Sequence, residues 1–273
     1  TDTPVATARE AGDEARLYAR LPGLRVAVGR NRAFVIERFG DPQHAQVILL
    51  DDAFQNPSVA RDHELVLLDA SVPMSAMAVI PAGRFREPPE ALARAHTVLL
   101  TRVDSAPADR LAALEALVRR HAPDAAIFYS RHRPTPLAVS DADASGVQFG
   151  AFCGLGNPDA FWRTLEAPPQ SLSLAIKRAF PDHHAFTLSD LESLEREARA
   201  KGLAGIRWIT SAKDAVRLDA LPDLPADLRA RIFVQEIELE ILPRPGEASD
   251  QSAASAARAA HRAFYDRVLP APD

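Results

Sequence analysis

Short apolar runs separated by stretches of helical period constrain this chain more than any other feature. Leu65–Leu68, Thr97–Thr101 and Ala126–Tyr129 read as strands, while Pro88–Ala95 and Asp109–His121 carry apolar residues at helical spacing. Strands alternating with such helices imply βαβ units and a parallel sheet. Right-handed crossovers then place the strand carboxyl ends along one edge, where open α/β sheets bind their ligands. The same pattern resumes later, with strands expected at Phe149–Cys153, Leu172–Ala179, Ile206–Thr210 and Phe233–Leu242. Ser189 and Glu192 have capping-box spacing at the head of a helix running to Ala200. Between Ser130 and Gly146 the pattern dissolves into Pro, Ser, Asp and Ala, as a linker does. The expected fold is α/β: a parallel-sheet core over residues 1–135, a linker over 136–146 and a second, smaller α/β domain over 147–273.

Composition narrows the function classes. The chain is 47% hydrophobic and 25% charged, as ordinary globular proteins are. A net charge of −5 argues against a general nucleic-acid footprint, so no nucleic-acid partner is expected. One cysteine, Cys153, permits no internal disulfide and fits a reducing compartment. No run approaches the ~18 apolar residues a membrane-spanning helix needs, and no signal peptide is present, so no membrane anchor is expected in these residues.

Candidate chemistry begins at Val47-Ile48-Leu49-Leu50, an unbroken apolar run that stops at Asp51-Asp52. Such a run reads as a strand buried on both faces. Two carboxylates at its end need a compensating cation or donors. A divalent metal carrying phosphates, in the manner of a Walker-B acid, is one reading; an Asp pair capping a turn is the other. Upstream, Arg25–Val28 reads as a short strand and Asn31–Phe39 as a helix, with Arg32 facing either phosphate or solvent. Asp13 and Glu14 open a helical pattern after Gly12, where acids favour the helix dipole. Gly154-Leu155-Gly156 before Asn157-Pro158 reads as a tight strand-to-helix turn more readily than as a phosphate cradle, since the third glycine is lacking. His183 and His184 are adjacent, point apart and do not make a helix-spaced metal pair.

Taken in order, these pieces resemble one family. Asp51-Asp52-Ala53-Phe54-Gln55-Asn56, Arg61-Asp62, Pro81-Ala82-Gly83-Arg84-Phe85-Arg86-Glu87-Pro88, Gly154-Leu155-Gly156-Asn157-Pro158, Phe180-Pro181-Asp182-His183-His184 and Lys213-Asp214-Ala215 resemble the motifs of the tetraacyldisaccharide 4'-kinases, which phosphorylate the lipid A precursor. The resemblance implies a P-loop NTPase-like core, ATP and Mg²⁺ as cofactors, and an acylated glucosamine disaccharide 1-phosphate as substrate. It implies Asp13 as the base that takes the sugar hydroxyl proton, partnered by His183 from the other domain across a cleft. It implies Asp51, Asp52 and Glu87 as metal carboxylates, Arg86 as the group steadying phosphate charge and Gln55 as a nucleotide contact. Glu87 also has a plainer reading, as a salt-bridge partner of Arg84 or Arg86. The implied location is the cytoplasmic face of the inner membrane, with the parent protein at a membrane surface.

Several positions depart from that family. No G-x-x-x-x-G-K-[ST] loop occurs in the 273 residues; in the family it lies upstream of Gly-Asp-Glu, on a strand central to the sheet, and would precede Thr1. Ala53 and Asn56 stand where the family has Gly and His, Ser75-Ala76-Met77 where it has Gly-Asn-Gly, and Ala212 where it has Glu. Alternatives follow: a non-catalytic relative that binds a glycolipid or partner, and a P-loop kinase with another substrate. Two acids hold Mg²⁺ but repel a triphosphate unless Lys and backbone N–H groups offset its charge. The isolated 273-residue chain is therefore expected to bind Mg·ATP weakly and to transfer no phosphoryl group. Calorimetric titration giving tight Mg·ATP binding to this chain would overturn that expectation.

Overall fold

The structure is a computed structural model that describes residues 12–40, 47–137, 147–246 and 253–269. In chain order its elements are helices α1 (Asp13–Tyr18) and α2 (Arg32–Phe39), then strands β1 (Leu65–Asp69) and β2 (Thr97–Thr101). Helix α3 (Ala108–His121), strands β3 (Ala126–Pro134) and β4 (Gln148–Cys153), helix α4 (Pro158–Glu166) and strand β5 (Ser173–Ala179) follow. The chain continues with α5 (Leu188–Ala200), β6 (Arg207–Ser211), α6 (Ala212–Leu218), α7 (Ala226–Arg229), β7 (Ile232–Gln235), β8 (Ile237–Leu242) and α8 (Ala253–Val268). The fold is α/β with two mainly parallel sheets, as the alternation predicts.

One sheet has the order β1-β2-β3-β8, with β1, β2 and β3 parallel. Strand β2 is buried along its whole length. Its alternate side chains point to opposite faces. Val98 and Leu100 meet Leu111, Leu114 and Val118 of α3, while Leu99 meets Ile241 of β8 and Phe264 of α8. The other sheet has the order β5-β4-β6-β7, and all its pairs are parallel. Helix α5 covers one face through Leu191, Leu194 and Ala198 against Phe152 and Trp208. Helix α4 covers the other through Phe161, Trp162 and Leu165 against Phe149, Ala151 and Ile209. Cys153 is buried, which pushes its thiol up to about 12, so it packs as a small apolar side chain and not as a nucleophile.

The chain divides into two compact units, each made of two segments. One combines Thr1–Val28 with Pro134–Ile237; the other combines Gly29–Arg133 with Glu238–Asp273. The expected contiguous division therefore differs from the observed one, and most of the expected linker, residues 138–146, lies outside the described residues. Strand pairing accounts for the difference. The apolar stretch Phe233–Leu242 is not one strand: β7 ladders onto β6, whereas β8 joins the sheet of β3. Between them the Glu236 carbonyl accepts from the Thr135 amide at 3.0 Å, and Gln235 Nε2 donates to the Thr135 carbonyl at 2.8 Å. At the other end of the chain, α1 packs with α6 and so groups with the second sheet.

Four further expectations are corrected. Val47–Leu50 and Arg25–Val28 are not strands, and Val28, Ile48 and Leu49 are 57%, 51% and 70% exposed. An apolar run records side-chain character; a strand also needs a ladder partner, and among the described residues neither run has one. Pro89–Arg94 is a 3₁₀ turn and not an α-helix. The capping box of α5 is Thr187 with Asp190, because the helix starts one residue ahead of Ser189 and leaves that serine inside its first turn. No described helix is long and apolar enough to cross a membrane.

Gly150, in the middle of β4, shows how tightly the second sheet is packed. A Cβ there would run into the six-membered ring of Trp208. That ring is buried and its Nε1 donates to Glu195 Oε1 at 2.7 Å, so it cannot swing aside without losing the bond. Gly150→Ala is expected to destabilise the fold by ~1–3 kcal/mol, the usual range for overpacking. An unchanged urea midpoint would show that the ring moves freely.

Candidate active site

Three neighbouring strands, β5, β4 and β6, deliver their carboxyl-end loops to one place. Gly154-Leu155-Gly156 follows β4 and leads to Asn157, whose side chain caps α4 by accepting from the Ala160 amide at 3.1 Å. Phe180-Pro181-Asp182-His183-His184 follows β5. Ser211 ends β6 and caps α6, its hydroxyl accepting from the Asp214 amide at 3.1 Å. The glycines are explained by close approach: a Cβ on Gly154 would lie 3.1–3.2 Å from His184, Pro181 and Asp214, and one on Gly156 would lie 3.1 Å from Asp182. The loop is thus a packed strand-to-helix turn.

Asp214 and Arg217 form the buried centre. Asp214 Oδ2 accepts from the Gly154 amide at 3.1 Å and from Ser211 Oγ at 2.6 Å. Asp214 Oδ1 accepts from Arg217 Nη1 at 2.8 Å, and the same nitrogen donates to the Gly154 carbonyl at 3.3 Å. From α1, Asp13 places Oδ2 against the far side of the guanidinium, 2.7 Å from Nε and 2.5 Å from Nη2. His183 Nδ1 lies 3.0 Å from Nη2 and 3.4 Å from Asp13 Oδ2. Burial alone would raise the Asp13 carboxyl, but the Arg217 hydrogen bond and charge hold it below its ordinary value. Asp13 is therefore ionised at neutral pH. Its share of folding stability is present above the ordinary carboxylate value and is lost as pH falls through the lower folded value.

The structure brings Asp13 and His183 together, as the resemblance implies, but within one compact unit and not from two domains. The physical reason is that α1 docks on α6 of the same sheet, with Lys213 Nζ 2.6 Å from Glu14 Oε1 beside the buried contact. His183 is in the left-handed region at φ 56°, held there by its amide donating to the Gly154 carbonyl at 3.2 Å and to Asp182 Oδ1 at 3.0 Å. His184 turns the other way. It stacks on Phe180 at 4.8 Å and meets Asp190 Oδ2 at 3.1 Å, a packing role.

The remaining candidates lie in the other unit. Arg86 Nη1 is 2.6 Å from both carboxylate oxygens of Asp52, and Arg94 Nη2 is 2.6 Å from Glu87 Oε2. Arg32 donates to the carbonyls of Asp51 and Asp52 at 3.0 and 3.2 Å, so it faces the backbone of the acid pair. Asp52 has φ 48°, a left-handed conformation that Asp tolerates better than most residues. Glu87 is thus paired with Arg94 and not with Arg84 or Arg86. Gln55 is exposed. Asp69, at the end of β1, accepts from the Ser71 amide and hydroxyl and pairs with Arg102. In the P-A-G loop a Cβ on Gly83 would collide with the backbone of Ala76 and Ala78. Among the described residues no group of three His, Cys, Asp or Glu side chains gathers as a metal site, so Asp51, Asp52 and Glu87 are not brought together as three ligands. The carboxylate donor type still suits Mg²⁺, which commonly takes one or two protein carboxylates plus phosphate oxygens.

Arg217 was not marked by the sequence reading. The available signal was Ser211-x-x-Asp214-x-x-Arg217, a cap followed by an acid and a base three residues apart on one helix face.

Residues 1–254 match the family model described as tetraacyldisaccharide-1-P 4'-kinase. The curated tetraacyldisaccharide 4'-kinase of Anaeromyxobacter dehalogenans (strain 2CP-C) is 44% identical over 243 residues, covering 86% of this chain and 62% of the relative. Those of Paramagnetospirillum magneticum and Chlorobaculum tepidum are 37% and 34% identical over 231 and 230 residues, covering 84% and 81% of this chain and 63% of each relative. The chain spans about three-fifths of the length of these relatives.

Asp214→Ala tests the buried centre. It leaves the Arg217 guanidinium buried with one charge partner fewer, a change that typically destabilises by ~3–5 kcal/mol. The measurement is the urea unfolding midpoint. A loss under about 0.5 kcal/mol would mean that water or Asp13 alone compensates Arg217.

Proposed function

The chain belongs to the tetraacyldisaccharide-1-P 4'-kinase family, and on that premise we propose that it serves the ATP-dependent phosphorylation of the 4'-hydroxyl of a tetraacylated glucosamine disaccharide 1-phosphate. The observation that carries this reading is Asp13: an ionised carboxylate, fixed by Arg217, beside His183 at the carboxyl ends of parallel strands. In the proposed reaction Asp13 accepts the sugar hydroxyl proton. The hydroxyl oxygen forms its bond to the γ-phosphorus as the bridging oxygen bond to ADP breaks.

Asp51 and Asp52 are the residues that would hold Mg²⁺, which when bound neutralises phosphate charge. Arg86, which pairs with Asp52, would turn its fork to phosphate oxygens in this reading. Gln55 is a nucleotide contact in this reading, and Glu87 assists from its pairing with Arg94. The acyl chains of the substrate put the work at a lipid surface, which for this substrate class is the cytoplasmic face of the inner membrane.

In the full-length protein, Asp13→Ala and His183→Ala are each expected to lower kcat, Asp13→Ala by ~10²–10⁴-fold, and to leave Mg·ATP affinity nearly intact, as for groups that act at the sugar hydroxyl and not on the nucleotide. Asp52→Ala is expected to weaken nucleotide binding as well, because a metal carboxylate acts in the ground state too. Steady-state phosphorylation of the tetraacyl disaccharide, with nucleotide binding in parallel, separates the two. Wild-type kcat in Asp13→Ala would show that Asp13 is not the base.

A further inference from the structure

We propose that Arg217 is the positioning residue of the site, and that it fixes His183 in the tautomer with a bare Nδ1 and a hydrogen on Nε2. The argument is a count of hydrogens. A guanidinium has five N–H donors and no acceptor. Nε spends its one hydrogen on Asp13 Oδ2. Nη1 spends its two on Asp214 Oδ1 and the Gly154 carbonyl. Nη2 spends its two on Asp13 Oδ2 and His183 Nδ1. Every donor has an acceptor, and the arginine, which does not deprotonate in proteins, fills the last contact only if Nδ1 offers a lone pair.

A neutral imidazole with an acceptor at Nδ1 carries its hydrogen on Nε2. The 3.4 Å approach of Nδ1 to Asp13 Oδ2 is then two lone-pair atoms bridged by one arginine nitrogen, and not a donor–acceptor pair. His183 therefore neither orients Asp13 nor exchanges a proton with it. Arg217 orients both. The guanidinium is fixed for that purpose: Arg217 and Asp214 are buried, and Asp214 is itself held by Ser211 and Gly154. The His183 side chain is 66% exposed, and no described residue pairs with its Nε2. Under the kinase reading above, on which only this last step rests, the Nε2 hydrogen is donated to an oxygen of the bound substrate. Asp13 Oδ1, which no described donor engages, is the oxygen left to receive the hydroxyl proton.

The tautomer is read directly by long-range ¹H–¹⁵N NMR of the ¹⁵N-labelled 273-residue chain without substrate, at mildly alkaline pH, with His183→Gln supplying the assignment. The expected spectrum has a pyridine-type Nδ1 and a pyrrole-type Nε2. Asp13→Asn should leave it unchanged. Arg217→Met should move the hydrogen to Nδ1, where the Asp13 carboxylate then accepts it. A pyrrole-type Nδ1 in the wild type overturns the proposal, as does an unchanged ring in folded Arg217→Met. If Arg217→Met does not fold, the double variant Arg217→Met/Asp214→Leu, which removes both buried charges, takes its place. Failure of the kinase reading is seen separately, as no phosphorylation by the full-length protein, and failure of Asp13 as base as phosphorylation that survives Asp13→Ala; neither alters these spectra.

Discussion

The buried pair of Asp214 and Arg217 is the constraint around which the second sheet's loops are arranged. Bringing two charges out of water carries a large desolvation penalty, which attraction repays only when every remaining donor and acceptor is satisfied. Here the surplus acceptors of Asp214 take Ser211 and Gly154, and the surplus donors of Arg217 take Gly154, Asp13 and His183. Three strand-end loops and the N-terminal helix are thereby tied to one guanidinium. Such a pair adds little net stability compared with an apolar substitute. What it adds is a fixed direction for each group it touches, because a planar five-donor fork has one arrangement that fills every bond.

That arrangement bears on chemistry. The proposed base has to be ionised and aimed, and Arg217 favours the ionised form of Asp13 and fixes one of its oxygens. The same contact lowers the basicity of Asp13, which works against proton abstraction. One carboxylate oxygen carries the arginine and the other has no described donor, so under the proposed reading positioning and proton acceptance fall on different atoms of one side chain. In the other unit the acids and bases pair with each other: Asp52 with Arg86, and Glu87 with Arg94. These are exposed pairs, individually worth little and readily exchanged for a ligand's charges.

Legibility differed by element. Strand β2 matches its expected bounds to the residue, and β1, β4, β5 and β6 match to within about one residue; β2 and β4 are buried along nearly their whole length and have no polar interruption to blur them. Val47–Leu50 has the same character and forms no strand, since pairing is not a property of the segment. The break after Gln235 was invisible for a related reason: both halves of the apolar stretch suit a strand, and only the partner differs. Which sheet the helix Ala253–Val268 covers was not legible, because an Ala-rich face fits many surfaces.

At the site, the sequence by itself determined the ingredients. The order of its motifs identified the family, and Asp13, His183 and the acid pair followed from it. Tertiary structure decided how those ingredients meet. It put Asp13 and His183 in one unit, turned His184 away onto Phe180, and set Arg217 between the two candidate groups. The physical reason is that residue type fixes what a side chain can donate, accept or neutralise, whereas hydrogen-bond partners 204 positions apart, as Asp13 and Arg217 are, exist only once the chain has closed on itself.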